Sequence, residues 1–282
     1  MDGKISRIAV MKRLSEYRVR ISHQVKYLTI VPATFDSDTL CYPLASLPPL
    51  PYRDDTWTTA HISRAASSGD LTTRLPTKPL AGVRSIWHRA RIDAVCGSQF
   101  GLGAPPPASR SSNDNAKVGV IVKIARFEWE IRRIERETRA YQVLGQRGAS
   151  DVAPRFLGHV HEGGRVMGLL LEKWDGRSGG ASIEDLSACE AALARFHGLG
   201  LFHGDANRYN FLVGQDGCGE VKLIDFECFQ EGASEKMRAE EMQSLRDQLQ
   251  DTSGRGEGFL FSGSDDSMRG WIGWCGARSL TL

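Results

Sequence analysis

The chain has 282 residues, and its 36 Lys and Arg against 34 Asp and Glu give a formal net charge of +2. That length suits one or two ordinary domains with a sizeable core, and 41% hydrophobic with 25% charged residues excludes wholesale disorder. So small a net charge supplies no general field for nucleic acid or an anionic membrane.

Ten of the eleven prolines fall in residues 1–107 and none follows Pro154, so the first third is expected to be loop-rich. The six cysteines, at 41, 96, 189, 218, 228 and 275, form no CxxC pair, which argues against both a zinc site and a disulfide framework. The first twenty residues are too charged for a signal peptide, and no run approaches the roughly 18–20 apolar residues of a membrane span. A cytoplasmic protein is expected.

Residues 1–50 show two short apolar patterns, Ile5–Leu14 and Val25–Val31, then a proline cluster, and read as an extension with marginal structure. Trp57–Ser63 and Leu71–Leu75 flank Ser67-Ser68-Gly69-Asp70 and predict a hairpin. Ile86–Val95 predicts a strand, and the Gly/Pro/Ser/Asn-rich stretch 96–117 a flexible loop. From residue 118 the pattern becomes regular. Val118–Ala125 is a buried-strand run broken by Lys123, and Phe127–Gln146 is a helix with Phe127, Ile131, Ile134, Thr138 and Tyr141 on one stripe. Val166–Lys173 is a second buried strand. Ser182–Leu199 is a helix with a capping box from Ser182 to Asp185. Phe211–Val213 and Val221–Phe226 are strands around a Gly-Gln-Asp-Gly turn, and Ser234–Leu249 is a helix capped by Ser234. The tail is left without assigned structure.

The sharpest segment is His203-Gly204-Asp205-Ala206-Asn207-Arg208-Tyr209-Asn210, followed by a short hairpin and Leu223-Ile224-Asp225-Phe226-Glu227. A carboxylate and an amide five residues apart, with a second carboxylate on the returning strand, can converge on one point. Phosphoryl transfer needs that set: Asp205 to face an acceptor hydroxyl, Asn210 and Asp225 to hold Mg²⁺ across nucleotide phosphates. Lys123 stands in an apolar strand, where an unpaired ammonium is costly. Glu137 lies about 60° from the centre of the helix stripe and is its expected partner; Glu130 shares that edge at the start of the helix. A glycosidase reading could use Asp205 and Asp225 as its two carboxylates, but it leaves Asn210 and Lys123 unexplained. His159 and His161, two apart with no nearby cysteine, read as structural rather than as metal ligands.

These residues resemble the protein kinase-like superfamily, especially its aminoglycoside- and choline-phosphotransferase-like branches, in HGDxxxxN followed by LIDFE. More narrowly, IVKIARFEWEI, ERETRAY, APRFLGHVHEGGRVMGLLLE and FHGDANRYNFLV resemble a fungal kinase-like family often catalogued as "alpha-galactosidase A precursor". The resemblance covers about residues 57–63, 84–95 and 118–256 and is densest over 118–230. It implies an α+β, bilobal protein kinase-like fold with a degenerate small lobe and an abbreviated helical large lobe. The lobes would span 57–173 and 174–253, after an irregular extension over 1–56 and before a tail over 254–282.

The resemblance further implies an ATP- and Mg²⁺-dependent phosphotransferase acting on a hydroxyl acceptor, with no nucleic-acid or membrane partner. Lys123, held by Glu137, would contact the α/β-phosphates, and Glu172-Lys173-Trp174 would form a hinge whose backbone holds adenine. His203 would hold the loop rather than act as a base. Departures remain. Gly97, Gly101 and Gly103 form no GxGxxG where the phosphate-covering strands belong, and only 55 residues follow Glu227. Asn207, not lysine, stands two places after Asp205, so the Ser/Thr protein-kinase loop is not reproduced and the acceptor is a small molecule or an atypical protein. The alternative is a catalytically impaired pseudokinase acting as a nucleotide- or protein-binding module.

Overall fold

The fold is that of a computed structural model, which describes residues 4–10, 14–21, 24–41, 47–94, 119–174, 176–177, 179–215, 219–256, 259–260, 271–272 and 278–281. The loop expected at 96–117 and most of the expected tail lie outside the described residues.

Residues 1–50 are not marginal, and this corrects the sequence expectation. Strands β1 (Lys4–Val10), β2 (Ser15–Ile21) and β3 (Gln24–Ile30) form an antiparallel meander. After a short helix α1 (Ser37–Cys41), strand β4 (Thr59–Arg64) pairs in parallel with β3, and β5 (Leu71–Arg74) completes the expected hairpin with β4. Tyr17, Val19, Leu28 and Ile30 pack with Trp57, Ala60 and Ile62 into a core of their own. The period-2 signal is hidden because charged residues are buried here with dedicated partners. The Lys26 ammonium donates to the carbonyls of Asp54 and Trp57 at 2.7 and 2.6 Å and lies 4.7 Å from the Trp57 ring.

Downstream the elements are β6 (Arg91–Asp93), β7 (Gly119–Ile124), α2 (Ile131–Gln146), β8 (Phe156–Glu162), β9 (Arg165–Glu172), α3 (Leu186–Gly198), β10 (Leu201–Phe202), β11 (Phe211–Val213), β12 (Val221–Leu223), β13 (Gln230–Glu231) and α4 (Glu235–Gln250). The short strands β14 (Phe259–Leu260), β15 (Trp271–Ile272) and β16 (Arg278–Thr281) follow. The second sheet has the order β16-β7-β9-β8-β6. In it β16 runs antiparallel along the outer edge of β7, with Val120 opposite Leu280 and Val122 opposite Arg278.

β9 reads as an unbroken apolar run because both its faces are covered. Met167, Leu169 and Leu171 join the core shared with the helices, while Leu170 packs with Val120, Val122 and Val160 on the other face. Gly168 lets β9 close on β7, since a Cβ there would lie 2.3 Å from the Lys123 carbonyl oxygen. Only Arg91–Asp93 of the expected 86–95 strand joins the sheet. Upstream, the backbone bonds to side chains instead: the Arg84 and Ser85 amides donate to the Glu135 carboxylate at 2.6 and 2.9 Å, and those of Trp87 and His88 to His159 Nε2 at 3.2 and 3.1 Å.

α2 buries Ile131, Ile134, Glu137, Thr138 and Tyr141, and the Glu130 carboxylate caps its approach by accepting from the Arg126 and Phe127 amides at 2.7 and 2.9 Å. The Ser182–Asp185 capping box precedes α3, and Ser234 accepts from the Met237 amide at the start of α4. The architecture is mixed α/β, with few helices packed on β-sheet. One apolar core runs from β9 through α2 to α3 and α4, including Ile134, Leu193, Phe196 and Leu245. Among the described residues, no helix is long and apolar enough to cross a membrane.

The two sheets are joined by Glu162. Its carboxylate accepts from Arg18, bonded through both Nε (3.0 Å) and Nη2, from Tyr27 Oη at 2.8 Å, and from Arg165 Nη2 at 3.4 Å. Burial and the Glu162 charge push the Tyr27 hydroxyl up, against the pull of Arg165 and Arg18.

Candidate functional site

Three backbone devices bring the functional side chains together. β11 and β12 pair as a hairpin, and the Ile224 amide donates to the Asn210 carbonyl at 3.0 Å, so Asp225 returns beside the 203–210 loop. β10 pairs with β13, tying the start of that loop to the segment after Asp225. Phe226, fully buried, packs against Tyr141 of α2, Phe196 of α3 and His203, with ring centroids 5.3 to 5.5 Å apart.

Lys123 is the centre of charge. Its Nζ donates to Glu137 Oε1 and Oε2 at 3.0 and 2.8 Å and to Asp225 Oδ1 at 2.7 Å. Carboxylate oxygens of Glu137, Asp225 and Glu227 lie within 4.8 Å of one another around it. Burial opposes the ammonium charge, yet Asp225, Glu137 and Glu227 together hold Lys123 well above its ordinary value. Burial pushes Glu137 up to about 7; Lys123 opposes that shift and Asp225 adds to it. Asp225 goes the other way: burial raises it, but the Lys123 ammonium outweighs burial and holds it low. The Asp225 side chain is 34% exposed against 0% for Glu137, so the cluster opens to solvent on the Asp225 side. Asp225 also has φ 67° and ψ 62°. A non-glycine residue in this left-handed region is held there by its surroundings, and such strain gathers at functional sites.

On the 203–210 loop, Asn210 Nδ2 donates to the Asp205 carbonyl at 2.7 Å and lies 3.4 Å from Asp205 Oδ2. The Asn210 amide oxygen is therefore the atom left to face a cation. His203 is buried, with Nε2 3.0 Å from the Ile224 carbonyl and Nδ1 accepting from the Asp205 amide at 3.3 Å. Both ring nitrogens are engaged and burial lowers its pKa, so it shapes the loop as a neutral imidazole. Gly204 has φ +82°, and a Cβ there would lie 2.6 Å from the Cys228 carbonyl oxygen.

Glu241 is a residue the sequence reading misses. From mid-α4 it accepts from the His203 and Gly204 amides at 3.2 and 2.7 Å and meets His197 Nε2 at 2.7 Å. Burial opposes its ionisation, but the hydrogen bond to His197 and those from the Gly204 and His203 amides hold it below the ordinary value.

The expected residues therefore fall into groups. Lys123, Glu137 and Asp225 meet directly, and Asp205 meets Asn210. Glu130 caps α2 and does not pair with Lys123. Glu172 and Trp174 stand apart from both groups. The Glu172 amide donates to the Arg155 carbonyl at 2.9 Å, with its carboxylate 3.5 Å from Arg155 Nε. The Trp174 ring lies under the Lys222 ammonium of β12, 5.7 Å from its centroid. Asn207 turns the loop by accepting from the Tyr209 amide. His159 and His161 do not act as a pair: His159 Nε2 accepts two backbone amides, while His161 lies 3.9 Å from Asp93. Cys189 and Cys228 are free thiols.

No protein-family model matches the sequence, and no curated protein matches it. Among solved structures, part of the chain is similar to the bifunctional kinase-methyltransferase WbdD, at 20% identity over 48% of this chain and 33% of that one, with a TM-score of 0.37. A monomeric form of WbdD gives 23% identity over 43% of this chain and 31% of the other, with a TM-score of 0.34. The third likeness is to a divergent kinase lacking the glycine-rich loop, which regulates membrane ultrastructure of the Toxoplasma parasitophorous vacuole. It shows 20% identity over 45% of this chain and 51% of that kinase, with a TM-score of 0.33. The matched part thus spans about a third of the WbdD chains and half of the parasite kinase.

Proposed function

We propose that the chain is a phosphotransferase of bilobal protein kinase-like architecture that transfers the γ-phosphoryl group of ATP to a hydroxyl. In this reading the small lobe spans 57–173 and the abbreviated large lobe 174–253, in a cytoplasmic protein. The observation that carries it is Lys123, fixed between Glu137 and Asp225 while the hairpin returns Asp225 to the Asp205–Asn210 loop. Asp225, 102 residues further along the chain, thus meets the cation that Glu137 already holds.

The donor set fits the cofactors. The Asp225 carboxylate and the Asn210 amide oxygen are hard donors suited to Mg²⁺, and an ammonium suits phosphate oxygens. Bound ATP and Mg²⁺ would supply the electrophilic phosphorus and the neutralisation of its charge. Asp205 orients the acceptor hydroxyl and receives its proton. Glu137 holds Lys123 toward the phosphates, and Asp225 and Asn210 would hold Mg²⁺. Adenine contacts would come from the backbone of Glu172-Lys173-Trp174, in which the Glu172 amide is bonded to Arg155 and the Trp174 carbonyl accepts from Gly176.

The test is Mg²⁺-dependent ADP release by the full chain. Turnover that survives both Asp205→Ala and Asp225→Ala would refute the assignment. One observation favours a second reading, a pseudokinase that binds without transfer: Lys123 and Asp225 already neutralise each other, and phosphate must displace that pair. A thermal shift with Mg-ATP but no phosphoryl transfer to any acceptor, water included, supports this alternative. A shift that persists in Asp225→Asn excludes metal-dependent binding at this site.

A further inference from the structure

We propose that the hollow between the 203–206 loop and α4 binds the acceptor, and that the acceptor is a small neutral polyol of the sugar and sugar-alcohol class. This rests on the phosphotransferase reading and names its substrate class. The cavity measures about 400 Å³, and its wall includes Asp205 on the loop, Met237, Glu240, Ser244 and Gln248 on α4, and Arg255 beyond it. That volume falls within the range of small-molecule sites, about 300–1,000 Å³. Positions 237, 240, 244 and 248 recur at three- and four-residue steps, so one polar face of α4 forms the wall opposite Asp205.

Charge and chemistry narrow the ligand. Glu240 has a cationic neighbour in Lys236 at 3.8 Å, and Arg255 an anionic one in Asp251 at 3.5 Å. Glu241 is turned into the loop amides. Apart from Asp205, whose carboxylate is assigned to the acceptor hydroxyl, the charged groups described on the wall are paired, which favours a neutral ligand over an anionic or a cationic one. Quaternary ammonium groups are recognised by several aromatic rings, and among the described residues of the wall Phe202 is the one aromatic. What it offers instead is hydrogen bonding. Gln248 accepts from Arg255 through its oxygen, leaving its NH₂ to donate. Ser244 donates to the Glu241 carbonyl, leaving its oxygen to accept. Amide, hydroxyl, guanidinium and carboxylate on one wall match a run of neighbouring hydroxyls.

One such hydroxyl, brought to Asp205, attacks the γ-phosphorus of ATP. The new O–P bond forms as the bridging bond between γ-phosphorus and ADP breaks, ADP leaves with that electron pair, and the hydroxyl proton passes to Asp205.

The experiment measures ADP release by the full chain with Mg-ATP and, in turn, glucose, myo-inositol, glycerol, ethanolamine and a serine-containing peptide. A polyol-dependent rate is expected, with the polyol KM raised about tenfold in Ser244→Ala and in Gln248→Leu, as for one lost hydrogen bond, while the nucleotide KM stays the same. Both positions are only partly buried, and an unchanged melting temperature checks that each variant folds. Asp225-dependent ADP release that no polyol stimulates, or that ethanolamine or the peptide stimulates instead, overturns the polyol assignment and leaves the phosphotransferase standing. Polyol stimulation indifferent to both substitutions overturns the placement of the site. Absence of any nucleotide turnover overturns both readings.

Discussion

Replacing Glu241 by glutamine removes one negative charge from beneath the 203–205 loop and leaves the shape of α4 intact. The side chain is 6% exposed and accepts from two amides and a histidine. Hydrogen bonds to a charged group contribute about 1.5–3 kcal/mol each, and glutamine keeps a single oxygen while turning an NH₂ toward donors. With partial relaxation the expected loss is about 2–4 kcal/mol, read by urea unfolding. Hydrogen exchange at the His203 and Gly204 amides should speed up by about a hundredfold, localising the effect. In turnover assays kcat should fall while the nucleotide KM holds, because the Lys123 cluster is untouched. The pH dependence has a defined sign. The folded pKa of Glu241 lies below the ordinary 4.5, so its stabilisation is present above that value and lost as pH falls through the folded pKa. The wild-type and variant curves should therefore converge in acid. A loss under about 0.5 kcal/mol, with unchanged exchange at His203 and Gly204, would show that Glu241 does not hold the loop.

Three further outcomes are expected. Glu162→Ala takes the carboxylate from the buried Arg18 guanidinium and should destabilise the junction of the two sheets by about 3–5 kcal/mol; limited proteolysis should then release residues 1–75 early, and an unaltered digestion pattern counts against the junction. Gly204→Ala forces a methyl onto the Cys228 carbonyl at a positive φ, so a loss of about 2 kcal/mol or more with abolished phosphoryl transfer is expected, and a variant of wild-type stability contradicts the geometry. His159 accepts two amides, which only the neutral ring can do, and burial lowers its pKa from 6.5 to about 4. The unfolded chain therefore takes up this proton first, and about 3 kcal/mol of stability should be lost as pH falls from 6.5 to 4; His159→Asn should flatten that interval, and an identical slope in the variant would remove His159 from the account.

What the sequence disclosed depends on where charge is buried. β7, β9 and the α2 stripe announce themselves because their apolar residues repeat at the period of the element. The 203–210 loop and Asp225 are visible because few chains space His, Asp, Asn and Asp this way around a hairpin. β2 and β3 are hidden for the opposite reason: Arg18 and Lys26 look solvent-facing until Glu162 and Trp57, far along the chain, are seen to receive them. Glu241 is hidden in the charged run EKMRAEEMQS. Its only local signal is the four-residue step that places it in line with the buried Leu245 and Leu249. The strand expected at 86–90 fails because the amides of Trp87, His88 and Ala90 find histidine side chains, His159 and His88, before they find a neighbouring strand.

The pairing of β16 with β7 has a consequence for how the molecule is made. The strand that carries Lys123 receives its outer neighbour from a segment synthesised long after it. During translation that edge stands open, with unpaired amides and carbonyls, while β9, α2 and the Asp225 hairpin can already assemble around the Lys123 ammonium. Contacts so distant in sequence close slowly. The ion-pair cluster should therefore mature before the sheet that bears it, and until β16 arrives β7 is an edge open to pairing with another copy of the chain.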